Sequence, residues 1–364
     1  MSTHLTTTRA EHLGHPALPQ HGGPDALGVP LHDFSTNSNA CGPCPEALHS
    51  VQAADATRYP DPAYTALRES LGALHAVAPG RIVLAASASE FIHRATAWAA
   101  RRGATRVVVP AHSYGDYPQA AQTWGLTVLR AVPGDGAAAQ AGLHWACEPS
   151  SPLGVADPAL DIWRARGSDA DDLQVLDCAY VPLRLDGVAT ELPATAWQLW
   201  TPNKALGLTG VRAAYAVAPA HATPDEVHAL NSLASSWPVG AHGVALLAAW
   251  ARPSVQAWVR HSLDTLRHWK AAQLTLCQSL GWAPVPGSLA NYFVARLPAV
   301  DAAKASLVLQ ALRGQGIKLR DCASFGLQGH VRLGVLAPPS QQALAHAWAQ
   351  APHAVATMPD SPTP

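Results

Sequence analysis

The chain has 364 residues, 48% of them hydrophobic, which suffices for one large core and a smaller second one. Its 24 Lys+Arg against 25 Asp+Glu leave a net charge of −1, so there is no electrostatic case for a nucleic-acid or membrane-surface partner. Residues 1–15 lack the apolar centre of a signal peptide and no later run is long and apolar enough to span a bilayer, so a cytoplasmic protein is expected.

In chain order, the first distinctive segment is Cys41-Gly42-Pro43-Cys44, which has the spacing of a redox-active pair. No strand leads into it, and six scattered cysteines suit reduced thiols. The eighteen histidines show no His-Glu-x-x-His pattern and no clustering with cysteine, so no metal site is expected. Residues 81–84 read as a strand. Ser89 then reads as the N-cap of a helix over 90–102, with Phe91, Ala95 and Trp98 on one face. Strand-like runs follow at 106–110, 127–132, 143–147, 173–177, 196–200 and 212–217, several of them separated by helix-length stretches. That alternation predicts an α/β fold with a mainly parallel sheet. Beyond Asp225 the pattern turns helical, with a long stretch over 255–280. After Gly281 short strands at 291–297, 317–322 and 330–336 mix with two helices. The expected organisation is an N-terminal segment 1–44 joining a small α+β domain at 282–351, a large domain at 45–281, and a disordered Ala/Thr/Pro/Ser tail over 352–364.

Two segments carry candidate chemistry. Between Trp200 and Arg212, Lys204 sits in a small-residue turn after an apolar run, with Thr201 three residues before it and Arg212 eight residues after it. An amine there suits capture of an aldehyde, and the arginine suits a phosphate, because lysine loses its proton when desolvated and arginine does not. A solvated loop lysine beside a surface arginine would give the same pattern. Upstream, the apolar run 173–177 ends in Asp177, with Tyr180 three residues on. A carboxylate at the end of a buried parallel strand points into the crevice where open α/β sheets bind ligands, although such an aspartate is also a common turn or cap residue. The Ser87–Ser89 turn opens a helix, whose amides and positive end suit a phosphate, and the same turn is common without any ligand.

With Asp177-Cys178-Ala179-Tyr180, and Thr201-x-x-Lys204 followed by Gly207-Leu208-x-Gly210-x-Arg212, the chain resembles the fold-type I pyridoxal-phosphate enzymes. The similar subgroup is that of histidinol-phosphate aminotransferases and threonine-phosphate decarboxylases. His21-Gly22-Gly23, Asp33-Phe34-Ser35-x-Asn37-x-Asn39 and Arg58-Tyr59-Pro60-Asp61 are similar to the N-terminal run of the decarboxylases. Asn291-Tyr292-Phe293, Leu319-Arg320-Asp321-Cys322 and Val331-Arg332-Leu333 are similar to their C-terminal region.

The resemblance implies pyridoxal 5'-phosphate attached at Lys204, with Asp177 on the ring nitrogen, Tyr180 on the ring's phenolic oxygen and Tyr114 stacked on the ring. It implies a phosphate cradle of Ser87, Ala88, Ser89, Thr201 and Arg212. Tyr59 would reach the cofactor phosphate of a neighbouring subunit, which implies a homodimer with shared active sites. The substrate, a phosphorylated amino acid, would meet His21, Asn37, Arg320 and Arg332, the last on its carboxylate. Two departures stand out. Ser151, in Glu148-Pro149-Ser150-Ser151, replaces the family's amide beside the ring oxygen, and Ala86-Ser87-Ala88-Ser89 replaces a glycine-rich phosphate loop. The activity implied is decarboxylation of L-threonine O-3-phosphate to (R)-1-amino-2-propanol O-2-phosphate in cobalamin biosynthesis. The alternatives are a histidinol-phosphate-type aminotransferase and, given the departures, a weakly catalytic pyridoxal-phosphate-binding protein.

Overall fold

Ile82–Ala85 is apolar at every position, and both of its faces are covered: Ile82 and Leu84 pack into one helical layer, Val83 and Ala85 into the other. Such a continuous apolar strand is what a sheet sandwiched between helices requires. The computed structural model describes residues 21–131, 142–166, 172–188, 191–298 and 302–356.

Along the chain the first elements are β1 (His32–Asp33), α1 (Pro45–Gln52), α2 (Thr65–His75), β2 (Ile82–Ala85), α3 (Ala88–Arg101), β3 (Arg106–Pro110), α4 (Asp116–Thr123) and β4 (Thr127–Ala131). There follow β5 (Leu143–Cys147), α5 (Ala159–Arg166), β6 (Leu173–Asp177), β7 (Trp197–Trp200), β8 (Ala214–Val217), α6 (Pro224–Ser232), α7 (Ala241–Trp250) and α8 (Pro253–Ser279). The last are β9 (Ala283–Pro284), β10 (Tyr292–Arg296), α9 (Ala302–Gly314), β11 (Ile317–Lys318), β12 (Arg320–Asp321), β13 (His330–Gly334) and α10 (Pro338–Ala356).

A seven-stranded sheet runs in the order β2-β8-β7-β6-β5-β3-β4. Only β8 opposes its neighbours; β7, β6, β5, β3 and β4 are parallel. The carboxyl ends of β2, β3, β5, β6 and β7 therefore share one edge, where β8 begins. Ligands of open α/β sheets bind at such an edge. One face of the sheet packs on α1, α2, α7 and α8, the other on α3, α4 and α6. The fold is thus α/β with a large mixed sheet between helical layers.

A second, antiparallel sheet of four strands, β12-β13-β10-β9, has its own core of Phe293, Ala295, Val331 and Leu333 against α9, α10 and the end of α8. The N-terminal segment joins this part through the parallel pair β1–β11. It also fastens the 203–207 loop: the Asn39 N–H donates to Lys204 O at 2.9 Å, and the Cys44 N–H to Leu206 O at 2.8 Å. Gly207, with φ +69°, is needed there, since a Cβ would stand 3.1 Å from Pro43 Cα. All six cysteines are free, and Cys44 is buried in this packing.

Three expectations from the sequence change. The cap of α3 is Ser87, whose Oγ accepts the Glu90 N–H at 3.1 Å, while Glu90 Oε2 accepts the Ala86 N–H at 3.1 Å. Ser89 already lies inside the first turn. The run 317–322 is two strands, because β11 pairs with β1 and β12 with β13. Finally, α10 continues to Ala356, past Pro352 where a disordered tail was expected; its Ala-rich stretch retains helical propensity despite the donor lost at proline. Residues 357–364 of that expected tail, and Val132 of the strand expected at 127–132, lie outside the described residues. Among the described residues, no helix is long and apolar enough to cross a membrane.

Ser87→Ala should lower unfolding stability by about 1 kcal/mol through loss of the cap. Denaturant melts would show this as a shifted midpoint at constant slope; an unshifted midpoint would mean that Glu90, which accepts from Arg94 Nε at 2.8 Å, holds the turn without it.

Candidate active site

The loops leaving the shared sheet edge enclose a cavity of ≈ 520 Å³ lined by residues from both sheets. At its floor, Asp177 ends β6, 5% exposed. Its Oδ1 accepts the Ala179 N–H at 3.0 Å and its Oδ2 accepts the Tyr117 hydroxyl at 2.7 Å. Burial pushes the Asp177 carboxyl above the usual carboxylate range, against the opposing pull of Lys204 and these two donors. Tyr117 is held in place by stacking on Trp145 of β5 at 4.7 Å.

Lys204 follows β7 and opens onto the cavity, with Nζ 4.5 Å from the centre of the Tyr180 ring. Desolvation acts to lower its pKa, but Tyr180 and Asp177 outweigh that and hold the ammonium above its ordinary value. Asn37 Nδ2 donates to the Tyr180 hydroxyl at 3.2 Å, and Asn37 Oδ1 is buried with no partner. Thr201 lies beside Lys204, its hydroxyl donating to Asn203 Oδ1 at 3.0 Å. Arg212, just before β8, is exposed yet lines the cavity.

Ala88 and Ser89 line the cavity at the N-terminal end of α3, while Ser87 is engaged in the cap. Ser89 Oγ and the Tyr114 hydroxyl are 3.4 Å apart. Opposite stands the second sheet. Arg320 and Arg332 are direct cross-strand neighbours on β12 and β13, and their guanidinium carbons lie 4.8 and 5.7 Å from the centre of the Phe325 ring. Arg320 donates to Asp321 O and Ser324 Oγ, both at 2.8 Å, and burial lowers its pKa. Arg332 donates to Ser35 O at 3.0 Å and Ser151 Oγ at 3.2 Å, leaving a buried Nε without a partner. His21 closes this side, half exposed, 4.0 Å from Asp116.

Of the residues expected to meet cofactor or substrate, only Ser87 and Tyr59 do not line this cavity. Tyr59 is 78% exposed and stacks on Trp237 at 4.4 Å. Ser151, expected beside a ring oxygen, lines the cavity and accepts from Arg332; a hydroxyl that accepts one bond retains its own proton to donate. The sequence reading missed Tyr117, Asn203, Ser324 and Phe325. Tyr117 alone had a signal, standing one helical turn beyond Tyr114.

These residues suit pyridoxal phosphate. A buried carboxylate at a strand end, an amine beside it, a helix N-terminus for a phosphate and unpartnered buried polar atoms at Asn37 and Arg332 match its ring nitrogen, aldehyde, phosphate and polar substituents. Among the described residues, no group of His, Cys, Asp and Glu is built to hold a metal ion.

The family model described as Aminotransferase class I and II matches residues 190–350. A histidinol-phosphate aminotransferase of Rhodospirillum rubrum is 30% identical over 339 residues, covering 86% of this chain and 88% of the relative. The fold is similar to that of the histidinol-phosphate aminotransferase of Sinorhizobium meliloti in complex with pyridoxal-5'-phosphate, with TM-score 0.74 and 20% identity over 88% of this chain and 90% of that one. It is also similar to that of the L-threonine-O-3-phosphate decarboxylase of Porphyromonas gingivalis, with TM-score 0.68 and 20% identity over 86% of this chain and 96% of that one. The chain belongs to the class I and II aminotransferase family, the fold-type I enzymes that depend on pyridoxal phosphate.

Proposed function

We propose that the chain is an aminotransferase for a phosphorylated amine, of the kind its relatives' names describe: histidinol phosphate. The observation that carries the phosphorylated substrate is the pair Arg320 and Arg332, held side by side over Phe325 across the same cavity as Lys204 and Asp177, while likeness to the Rhodospirillum rubrum relative supports transamination. Two guanidiniums so close repel one another unless a dianion lies between them, and their planar forks suit phosphate oxygens.

The roles follow from position. Lys204 would hold the cofactor aldehyde and, once displaced by the substrate amine, carry a proton to and from the substrate Cα. Asp177 would keep a positive charge on the ring nitrogen, with Tyr117 fixing the orientation of the carboxylate. When bound, pyridoxal phosphate supplies the sink for the electron pair left at that carbon. Tyr180 and Asn37 would set the ring oxygen's surroundings, Tyr114 would cover the ring, and Ala88, Ser89, Thr201 and Arg212 would hold the cofactor phosphate. Tyr59, exposed with Trp237, is assigned to the neighbouring site of a homodimer.

A second reading, decarboxylation of threonine phosphate, is favoured by His21 and Gly22 lining the cavity next to Arg320. There Arg332 would take the carboxylate and Arg320 with His21 the phosphate. The two reactions differ in which Cα bond stands perpendicular to the ring, a carboxylate or a hydrogen.

Both readings give Arg320 a phosphate. Arg320→Ala should therefore weaken binding of the phosphorylated substrate by roughly 1.5–3 kcal/mol, the scale of a charged hydrogen bond, and leave affinity for the unphosphorylated analogue unchanged. Equal losses for both compounds would assign Arg320 to folding or to a carboxylate, and the phosphorylated-substrate reading would fall.

A further inference from the structure

Between β3 and α4, His112 lies in the loop that supplies Tyr114 and Gly115 to the cavity wall and leads into α4, which supplies Tyr117. Its Nδ1 is 2.7 Å from Phe325 O. A carbonyl only accepts, so Nδ1 carries the proton and donates. The acceptor belongs to the turn Ala323–Phe325, which joins β12 to β13 and lines the opposite wall with Ser324 and Phe325. The bond thus joins the loop after β3 of the seven-stranded sheet to the β12–β13 turn of the four-stranded one.

The two ends differ in what fixes them. On the β3 side, Arg130 of β4 donates to Ala111 O at 3.1 Å and to Ser113 Oγ at 3.4 Å, bracketing His112 with bonds to both neighbours. On the other side, Phe325 packs with Val294 and Cys322, and its ring underlies both Arg320 and Arg332. Holding the Phe325 carbonyl therefore holds the plate on which the two guanidiniums lie.

We propose that His112 is a positioning residue that latches the arginine-bearing turn to the cofactor side of the cavity, acting through Phe325 and without touching substrate. The proposal rests on the reading of Arg320 and Arg332 as anion-binding residues. With the latch in place, the arginines are preset at the distance the substrate needs; without it, binding must first order the turn, a cost that falls on affinity and not on the chemical step.

The test compares holoenzyme variants His112→Leu and His112→Asn, because asparagine Nδ2 can stand near the histidine Nδ1 position and donate to the same carbonyl. His112→Leu should raise KM for the phosphorylated substrate roughly tenfold with kcat within about twofold, the signature of lost ground-state binding. Amide exchange over 323–326 should quicken while that of β6 and β7 stays unchanged. His112→Asn should restore both. Unchanged KM and exchange in His112→Leu, or equal damage in both variants, would overturn the proposal. If the wild-type enzyme turns over neither histidinol phosphate nor threonine phosphate, the substrate reading fails, and exchange over 323–326 still decides the latch: unchanged protection overturns it.

Discussion

Lys204→Ala should reduce turnover roughly a thousandfold or more, since general acid–base transfer alone contributes about 10²–10⁴ in such sites. Among the described residues lining the cavity, Lys204 is the only lysine. Reduction with borohydride should fix the cofactor covalently on Lys204 in the wild-type protein, and peptide mapping should find no such adduct in the variant. A borohydride-stable adduct on the Lys204→Ala protein would move the attachment to another lysine. The fold should survive, because the backbone bonds of the 203–207 loop to Asn39 and Cys44 do not involve the side chain.

Asp177→Asn should retain the cofactor but lower kcat roughly 100- to 1,000-fold, the usual cost of removing a preorganised group aimed at developing charge. The neutral amide keeps the shape of the carboxylate but cannot hold a protonated ring nitrogen. The tyrosine beneath it gives a second arm to the test. Tyr117→Phe removes only the 2.7 Å hydrogen bond to Oδ2 and leaves the stacking on Trp145, so its effect should be far smaller. Near wild-type rates for Asp177→Asn would take that residue out of the ring-nitrogen role.

The strand end at Asp177 and the lysine turn were legible because each pairs an apolar run with a chemically distinct residue in a short window. The same holds for β3, β5 and β6, whose bounds follow directly from their apolar runs. What escaped was non-local. Residues 317–322 form one apolar-polar run, yet they divide at Leu319 because the N-terminal segment claims Ile317–Lys318 and β13 claims Arg320–Asp321. Ser87 and Ser89 are both acceptable caps by type; the choice between them is made by Glu90, which reaches back to Ala86 only when Ser87 is the cap. Phe325 carries no motif, and its place under two arginines follows from the register of β12 against β13. The preference for decarboxylation came from the short His21-Gly22-Gly23 and Leu319-Arg320-Asp321-Cys322 segments, whereas the relative at 30% sequence identity over 86% of the chain is a histidinol-phosphate aminotransferase. Sequence likeness over most of the chain outweighs two short segments, and the aminotransferase reading takes precedence.

Product analysis of the purified holoenzyme separates transamination from decarboxylation. Histidinol phosphate with 2-oxoglutarate should yield glutamate in a reaction that depends on both compounds, and threonine phosphate supplied alone should release no carbon dioxide. Release of carbon dioxide from threonine phosphate, with no glutamate from the histidinol phosphate mixture, would contradict the aminotransferase reading.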